Sequence, residues 1–287
     1  MVGERATQRI ATFENSLTLN GSRPVEGELH AGVDLGTAYI VTAVVDHLGT
    51  PVAGVITRSQ SSIRDGLVLD YVGAINILRQ QVLTLEASGF HLTLASAAFP
   101  PGIGGRNIQA FGNVVRAVGL ELCTLIDEPT AASLVLEIRD GAVVDIGGGT
   151  TGISVLRDGA VVYTADEPTG GIHLDLVLAG HFRISTEEAE KIKREPGRQR
   201  EIFPLVRPVF QKMASIVRQH LQGQTVETLY LVGGTSCFPG IETVMAEETG
   251  FHVAISRNPL LVTPLGIAME CARSTPRKDR TWNSHGT

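Results

Sequence analysis

The sequence is poor in the features that mark several large functional classes. Only three of its 287 residues are cysteine. Cys123, Cys237 and Cys271 form no CxxC pair and no Cys/His cluster, so neither a disulfide framework nor a zinc site is expected. Basic residues number 24 against 30 acidic ones, for a net charge of −6; that balance lacks the concentrated positive field that nucleic-acid binding requires, and no nucleic-acid partner is expected. No run reaches about 18 apolar residues. The first twenty residues carry Glu4, Arg5, Arg9 and Glu14 and no apolar core segment, so a cytoplasmic protein without a membrane span is expected. The chain has no GxxxxGKS loop and no strand-to-helix GxGxxG, the marks of the commoner nucleotide folds. Lysine is missing before Lys191.

What is abundant is apolar residues, 43% of the chain, and glycine, 32 residues. A chain of this length can bury one large core or two smaller ones. Residues 1–28 show no sustained periodicity, and Asn20-Gly21-Ser22-Arg23-Pro24 marks a flexible lead-in. From Leu29 short β-rich runs broken at DLGT and HLGTP predict an antiparallel meander. Helical spacing of Tyr71, Ile75, Leu78, Val82 and Leu85 follows, then a strand in HLTLASAAF, a helix across IQAFGNVVRAVG, a strand in LCTLI and a helix opened by EPTAAS. The meander returns from Gly141 in GAVVDIGGGTTGISVLRDGAVVYTADE. The fold class is therefore mixed α/β, with Asp34 and Asp145 in equivalent settings, each after a Val-rich strand, as in an internal duplication.

These two turns have a chemistry of their own. Glycines without Cβ let several backbone N–H groups converge on an anion. An aspartate beside such a nest would repel bare phosphate, but it suits a hydrated Mg2+ placed between carboxylate and phosphate. Thr37, Thr150 and Thr151 add hydroxyls. A plainer reading stays open for each loop: a hairpin turn whose glycines supply positive φ. A third glycine turn, Gly233-Gly234 followed by Thr235 and Ser236, ends the strand at Leu229–Val232; it either admits a flat ring or sugar or is an ordinary turn between strand and helix.

Taken in order, VDLGT, IDEPTAAS, VDIGGGT, LVGGTS and TPLGIAMECA resemble the five-motif signature of the actin, Hsp70 and sugar-kinase superfamily over roughly residues 29–273. IRDGLVLDYVGA, EPTAAS and the helix STEEAEKIKRE resemble, within it, the ethanolamine-utilisation J family, chaperone-like members encoded with bacterial microcompartment enzymes. Rod-shape and type IV pilus assembly proteins are similar too. The resemblance implies an actin-like ATPase fold of two duplicated RNase H-like lobes, residues 29–140 and 141–263, around a nucleotide cleft. It further implies a reduced insert about 181–225, a connecting helix 264–273 and a disordered tail 274–287.

It also implies ATP or ADP with Mg2+ in that cleft. Asp34 and Asp145 would hold the metal through water, and Glu128 would orient the attacking water, these three being the catalytic set. Gly36, Thr37 and Ala38 would contact the β-phosphate, and Gly147, Gly148, Gly149, Thr150 and Thr151 would wrap the β- and γ-phosphates. Glu190 and Lys193 would reach ribose and base, Gly233, Gly234 and Thr235 would line the adenosine, and Gly266 would sit at the second hinge. Solvated or structural roles remain open for Glu128, as an acid at a helix N-terminus, and for Glu190 with Lys193, as an ion pair.

Departures from the superfamily bear on turnover. Hsp70 proteins have an aspartate after their second loop where this chain has Gly152, and a first-lobe lysine for which only Arg58, Arg64 or Arg106 could substitute, in a different geometry. ATP hydrolysis is expected to be slow. No peptide-binding domain is expected after the second lobe, so a client, such as a microcompartment ammonia-lyase, is expected to bind the lobes or the N-terminal segment. There Ile10, Phe13 and Leu17 make an apolar stripe if residues 5–18 are helical, suited to docking on a partner, although a disordered leader is the preferred reading. The expected function is a chaperone or reactivase ATPase of the cytoplasm, associated with a microcompartment. The alternative is a non-hydrolysing assembly scaffold of the pilus type; a small-molecule kinase is disfavoured because no further substrate domain is visible.

Overall fold

The structure is a computed structural model that describes residues 2–19, 27–59, 63–64, 67–68 and 70–275. It opens with helix α1 (Glu4–Ser16), followed by the meander β1 (His30–Leu35), β2 (Tyr39–Val45) and β3 (Pro51–Arg58). A short hairpin, β4 (Ile63–Arg64) and β5 (Leu67–Val68), leads to α2 (Tyr71–Ala87), β6 (Leu94–Phe99), α3 (Gly105–Ala117), β7 (Glu121–Asp127) and α4 (Glu128–Leu136). The second half repeats the plan with β8 (Gly141–Ile146), β9 (Thr151–Arg157) and β10 (Ala160–Glu167). Three helices come next, α5 (Ile172–Phe182), α6 (Thr186–Arg194) and α7 (Pro196–His220), then β11 (Thr228–Val232), α8 (Ile241–Thr249), β12 (His252–Ile255) and α9 (Val262–Ser274).

The sheets run β3-β2-β1-β6-β7 and β10-β9-β8-β11-β12, and their connectivities are the same. In each, three antiparallel strands are followed by two that pair parallel, β6 on β1 and β7 on β6, β11 on β8 and β12 on β11. The duplication suggested by the two aspartate turns is therefore a duplication of topology. Asp34 is the penultimate residue of β1 and Asp145 of β8, and they pair with Val41 and Gly152 across the hairpins they begin. Parallel strands buried on both faces put loops at their carboxyl ends, and there the glycine turns of both lobes gather.

Each lobe has its own core. In the first, Ala31, Val33, Leu78, Leu85, Phe90 and Phe111 pack together; in the second, Val144, Ile153, Phe210, Met213 and Val217 do so. A third cluster joins them along the hinge, with Val41, Ala43, Val135, Val143, Val232 and Leu265. Helix α9 starts beside the second lobe and packs on α4, β1, β2 and β6 of the first. Between β10 and β11 the described chain holds helices only, and α7 returns Ile202, Val206 and Phe210 to the second-lobe core.

Residues 1–28 are not simply a flexible lead-in. Glu4–Ser16 form a helix that buries Ala6, Ile10 and Phe13, and Phe13 fits against Gly54 of β3. The apolar stripe is thus occupied within the chain, in the hinge cluster, and not offered to a partner. Burial of one aromatic and one branched side chain contributes several kcal/mol, enough to hold a helix too short to persist alone. Asn20–Glu26 of the same segment, and the tail 276–287, lie outside the described residues.

Candidate functional site

The two phosphate-loop candidates are the turns of the β1–β2 and β8–β9 hairpins. Each is closed by the same bond, Gly36 N–H to Tyr39 O and Gly147 N–H to Thr150 O, both 2.9 Å. None of Gly36, Gly147, Gly148 or Gly149 has positive φ, so a left-handed backbone does not explain the glycines. Close approach explains Gly36, where a Cβ would lie 2.7 Å from Tyr39 O of its own turn, and Gly148 and Gly149, which meet the other lobe. A Cβ on Gly148 would lie 3.1 Å from the Ala38 Cβ, and one on Gly149 would lie 3.1 Å from Thr37 Oγ1. The loops face each other across the lobes with backbone presented to backbone. Helix α5 braces the second loop from behind, Gly171 N–H donating to Gly147 O and Ile172 N–H to Gly148 O. Thr235 Oγ1 also donates to Gly147 O, at 2.7 Å.

At the base of the cleft, a cavity of about 80 Å³ is bordered by Asp34, Glu128, Asp145, Thr150 and the loop glycines. Through Thr37, Ala38, Gly148 and Gly234 it adjoins a wider cavity of about 760 Å³ bordered by Arg58, Glu190, Lys193 and Thr235, a size suited to a small organic ligand. Strand β7 ends at Asp127, whose carboxylate accepts from Thr130 N at 3.0 Å and caps α4. That cap, with Pro129 in the first turn, sets Glu128 at the helix N-terminus and aims it into the cleft.

The three carboxylates perturb one another. Burial, then the charge of Asp145, raises Asp34 to about 7. Burial raises Asp145 to about 6, against the opposing hydrogen bond from Thr263 Oγ1 at 2.9 Å. Glu128 is pushed well above the carboxylate range by burial and by Asp145, Asp34 and Asp166. Buried like charges of this kind call for a cation. Among the described residues no three His, Cys, Asp or Glu side chains are grouped to ligate one ion. Mg2+ keeps several waters and needs few protein ligands, and the buried carboxylates of Asp34 and Asp145 border one cavity, a donor set compatible with that ion.

Not every sequence candidate points into the cleft. Thr151 is fully buried and its hydroxyl donates to Thr169 O at 2.6 Å, so it braces the loop's base and borders neither cavity. Gly266 lies on α9 against the backbone of Ala131 in α4 and borders neither cavity. Glu190 is ion-paired with Arg58 of the first lobe, and Arg194 stacks over the Tyr39 ring at 5.2 Å, two contacts that join the lobes at the mouth. Lys193 Nζ binds Asp175 and Gly171 O, at 2.8 and 3.1 Å. Of the arginines considered for the missing lysine, Arg58 is thus engaged with Glu190, and the side chains of Arg64 and Arg106 lie outside what is described.

Two residues were not foreseen. Thr263 links α9 to Asp145, and Asp166 of β10 pairs opposite Gly152 of β9. Asp166 adds negative charge toward Glu128 where the second loop itself lacks a carboxylate. Strand alternation in TADE could not reveal this, because pairing partners are set by the β9–β10 register.

The chain is 44% identical over 260 residues to the ethanolamine utilization protein EutJ of Escherichia coli (strain K12), covering 89% of this chain and 91% of that one. It belongs to the EutJ family. The crystal structure of EutJ from Carboxydothermus hydrogenoformans superposes with a TM-score of 0.86 at 48% identity, covering 92% of this chain and 97% of that one. The EutJ fold is in turn actin-like: MreB 5 of Spiroplasma citri bound to AMPPNP matches at a TM-score of 0.69 and 18% identity, over 84% of this chain and 95% of that one. The family model of type IV pilus assembly protein PilM matches residues 137–266, the second lobe and the start of α9. No helix among the described residues is long and apolar enough to cross a membrane.

Proposed function

We propose that this EutJ-family protein binds ATP between its lobes, hydrolyses it slowly with Mg2+, and uses the change in lobe closure to act as chaperone or reactivase on an enzyme of ethanolamine utilisation or another microcompartment pathway. The observation that carries the reading is the facing pair Asp34 and Asp145, one from each lobe, at the ends of equivalent strands beside opposed glycine loops. The nucleotide bound to MreB 5 in its crystal supports it.

On this reading Gly36, Thr37 and Ala38 hold the β-phosphate from the first lobe, and Gly147–Thr150 hold the β- and γ-phosphates from the second. Gly233, Gly234 and Thr235 border the adenosine. Lys193 faces the ribose and base, and Glu190 becomes available to them once its pair with Arg58 opens. Asp34 and Asp145 would hold Mg2+, which when bound would supply charge neutralisation at the phosphates. Glu128 accepts a hydrogen bond from the attacking water and orients it. Nearby positive charge lowers the Glu128 pKa toward the ionised form this role needs. A ligand touching both loops favours the closed arrangement by its differential contacts, which makes lobe angle the output.

The second reading, a scaffold that binds ATP without turning it over, is favoured by Gly152 at the position where Hsp70 proteins carry an acid and by the PilM match to the second lobe. Phosphate release with and without Mg2+, recorded alongside light scattering, separates the two. Mg2+-dependent release without polymer supports the ATPase. ATP binding with no release and with ATP-dependent scattering supports the scaffold. A pull-down in the ATP and ADP states would then name the client, with a protein of the cytoplasmic microcompartment expected.

A further inference from the structure

Two cysteines 148 positions apart meet where α9 passes β7, the edge strand of the first-lobe sheet: Cys271 of α9 directs its S–H at Cys123 Sγ of β7, 2.9 Å away. Neither borders the cleft cavities. We propose that Cys123 and Cys271 form a reversible disulfide, made by a hydroperoxide oxidant, that ties α9 to the first-lobe sheet. The two thiols are unequally placed for this chemistry. Cys123 is partly exposed and open to a small oxidant, whereas Cys271 is buried behind it.

The hydrogen bond from Cys271 holds Cys123 down at about 7 against burial, with the Thr275 hydroxyl 3.7 Å away assisting. The same contact and burial push Cys271 up. Cys123 is therefore the attacking thiolate and Cys271 the resolving thiol. In the first step the Cys123 sulfur bonds to the outer peroxide oxygen and the O–O bond breaks, releasing an alcohol or water and leaving a sulfenic acid. In the second, the Cys271 sulfur bonds to the Cys123 sulfur and the S–O bond breaks. The hydroxyl departs as water with the Cys271 proton. Two thiols and one hydroperoxide give one disulfide, one alcohol or water, and a further water.

The position of the pair gives the bond a consequence. Helix α9 carries Thr263, which holds Asp145, and Gly266, which meshes with Ala131 of α4. Cys271 lies about 12 Å along the same helix from Thr263. A covalent bond at Cys271 fastens that helix to the first lobe, so the lobes lose freedom to rotate about it.

The experiment treats the full-length Cys237→Ser protein with hydrogen peroxide, quenches with an alkylating agent, and maps peptides by mass. The expected product is a Cys123–Cys271 cross-linked peptide, with loss of two hydrogen masses from the intact chain and reversal by dithiothreitol. Melting temperature should rise on oxidation by on the order of 5 °C, and amide exchange in α9 should slow. Cys123→Ser and Cys271→Ala should each abolish the cross-link and the shift, the first also abolishing the trapped sulfenic acid. Sulfinic acid at Cys123 without a cross-link, or oxidation confined to intermolecular species, would overturn the proposal.

Discussion

Asp166 stands opposite Gly152 in the β9–β10 ladder, with its Oδ1 3.8 Å from the point a Cβ on residue 152 would occupy. Its charge is one of those that push Glu128 upward. In single-turnover measurements Asp166→Asn should shift the acid limb of phosphate release to lower pH while leaving ATP affinity within a few-fold, because the lost negative charge is one of those that hold Glu128 protonated. Glu128→Gln should cost about 100-fold in rate by the same measurement. Coincident acid limbs in wild type and Asp166→Asn would assign Asp166 to strand packing alone.

Gly233 crosses Asp145 so closely that a Cβ there would collide with the carboxylate and with the Ile146 carbonyl, and its φ is +88°. Gly233→Ala should therefore displace Asp145 and destabilise the fold by about 1 kcal/mol or more. Thermal shift in the presence of ATP reads both effects: a lower starting melting temperature and a diminished rise on adding nucleotide.

Arg58 and Glu190 form an ion pair between the lobes at the cleft mouth, with Arg58 nearly half exposed. Pairs of this exposure are worth under about 1 kcal/mol, so Arg58→Ala should leave melting temperature nearly unchanged. It should instead raise the rates of nucleotide entry and exit a few-fold. High salt should produce the same acceleration in wild type and less in the variant, measured by stopped-flow fluorescence of a labelled ATP analogue.

With Asp34 held at about 7 and Asp145 at about 6 by burial, the folded protein keeps protons that the unfolded chain gives up near pH 3.8. Their contribution to stability is thus fully present below that value and is lost as pH rises through 6 and 7. Melting temperature without Mg2+ should fall between pH 5 and 8 by more in wild type than in Asp34→Asn. Adding Mg2+ should flatten the wild-type profile and release protons. Superimposable profiles for the two proteins would contradict the electrostatic picture of the site.

Much of this arrangement was legible in the sequence because the chemistry resides in short segments. The two aspartate turns, the strand before each and the helix opened by Glu128 are local patterns, and their order along the chain points to the fold. What the sequence did not disclose depends on distant pairing. Ile10 and Phe13 read as a loose stripe because their receptors, Gly54 and the hinge cluster, lie in other elements. Thr151 resembled its neighbour Thr150, yet strand alternation turns it to the Thr169 carbonyl. The plainer reading of the second-loop glycines, a turn that needs positive φ, does not hold; Gly148 and Gly149 instead let Ala38 and Thr37 of the other lobe approach. Cys123 and Cys271 show no motif at all, and meet only because α9 returns to β7.

The central claim is a nucleotide site clamped by Asp34 and Asp145. Calorimetric titration of ATP into wild type and Asp145→Ala, each with Mg2+ and with chelator, tests it most directly. Wild type should bind more tightly with Mg2+ than without, and Asp145→Ala should lose that Mg2+-dependent gain. An Asp145→Ala protein with unchanged affinity and unchanged Mg2+ dependence would contradict the account.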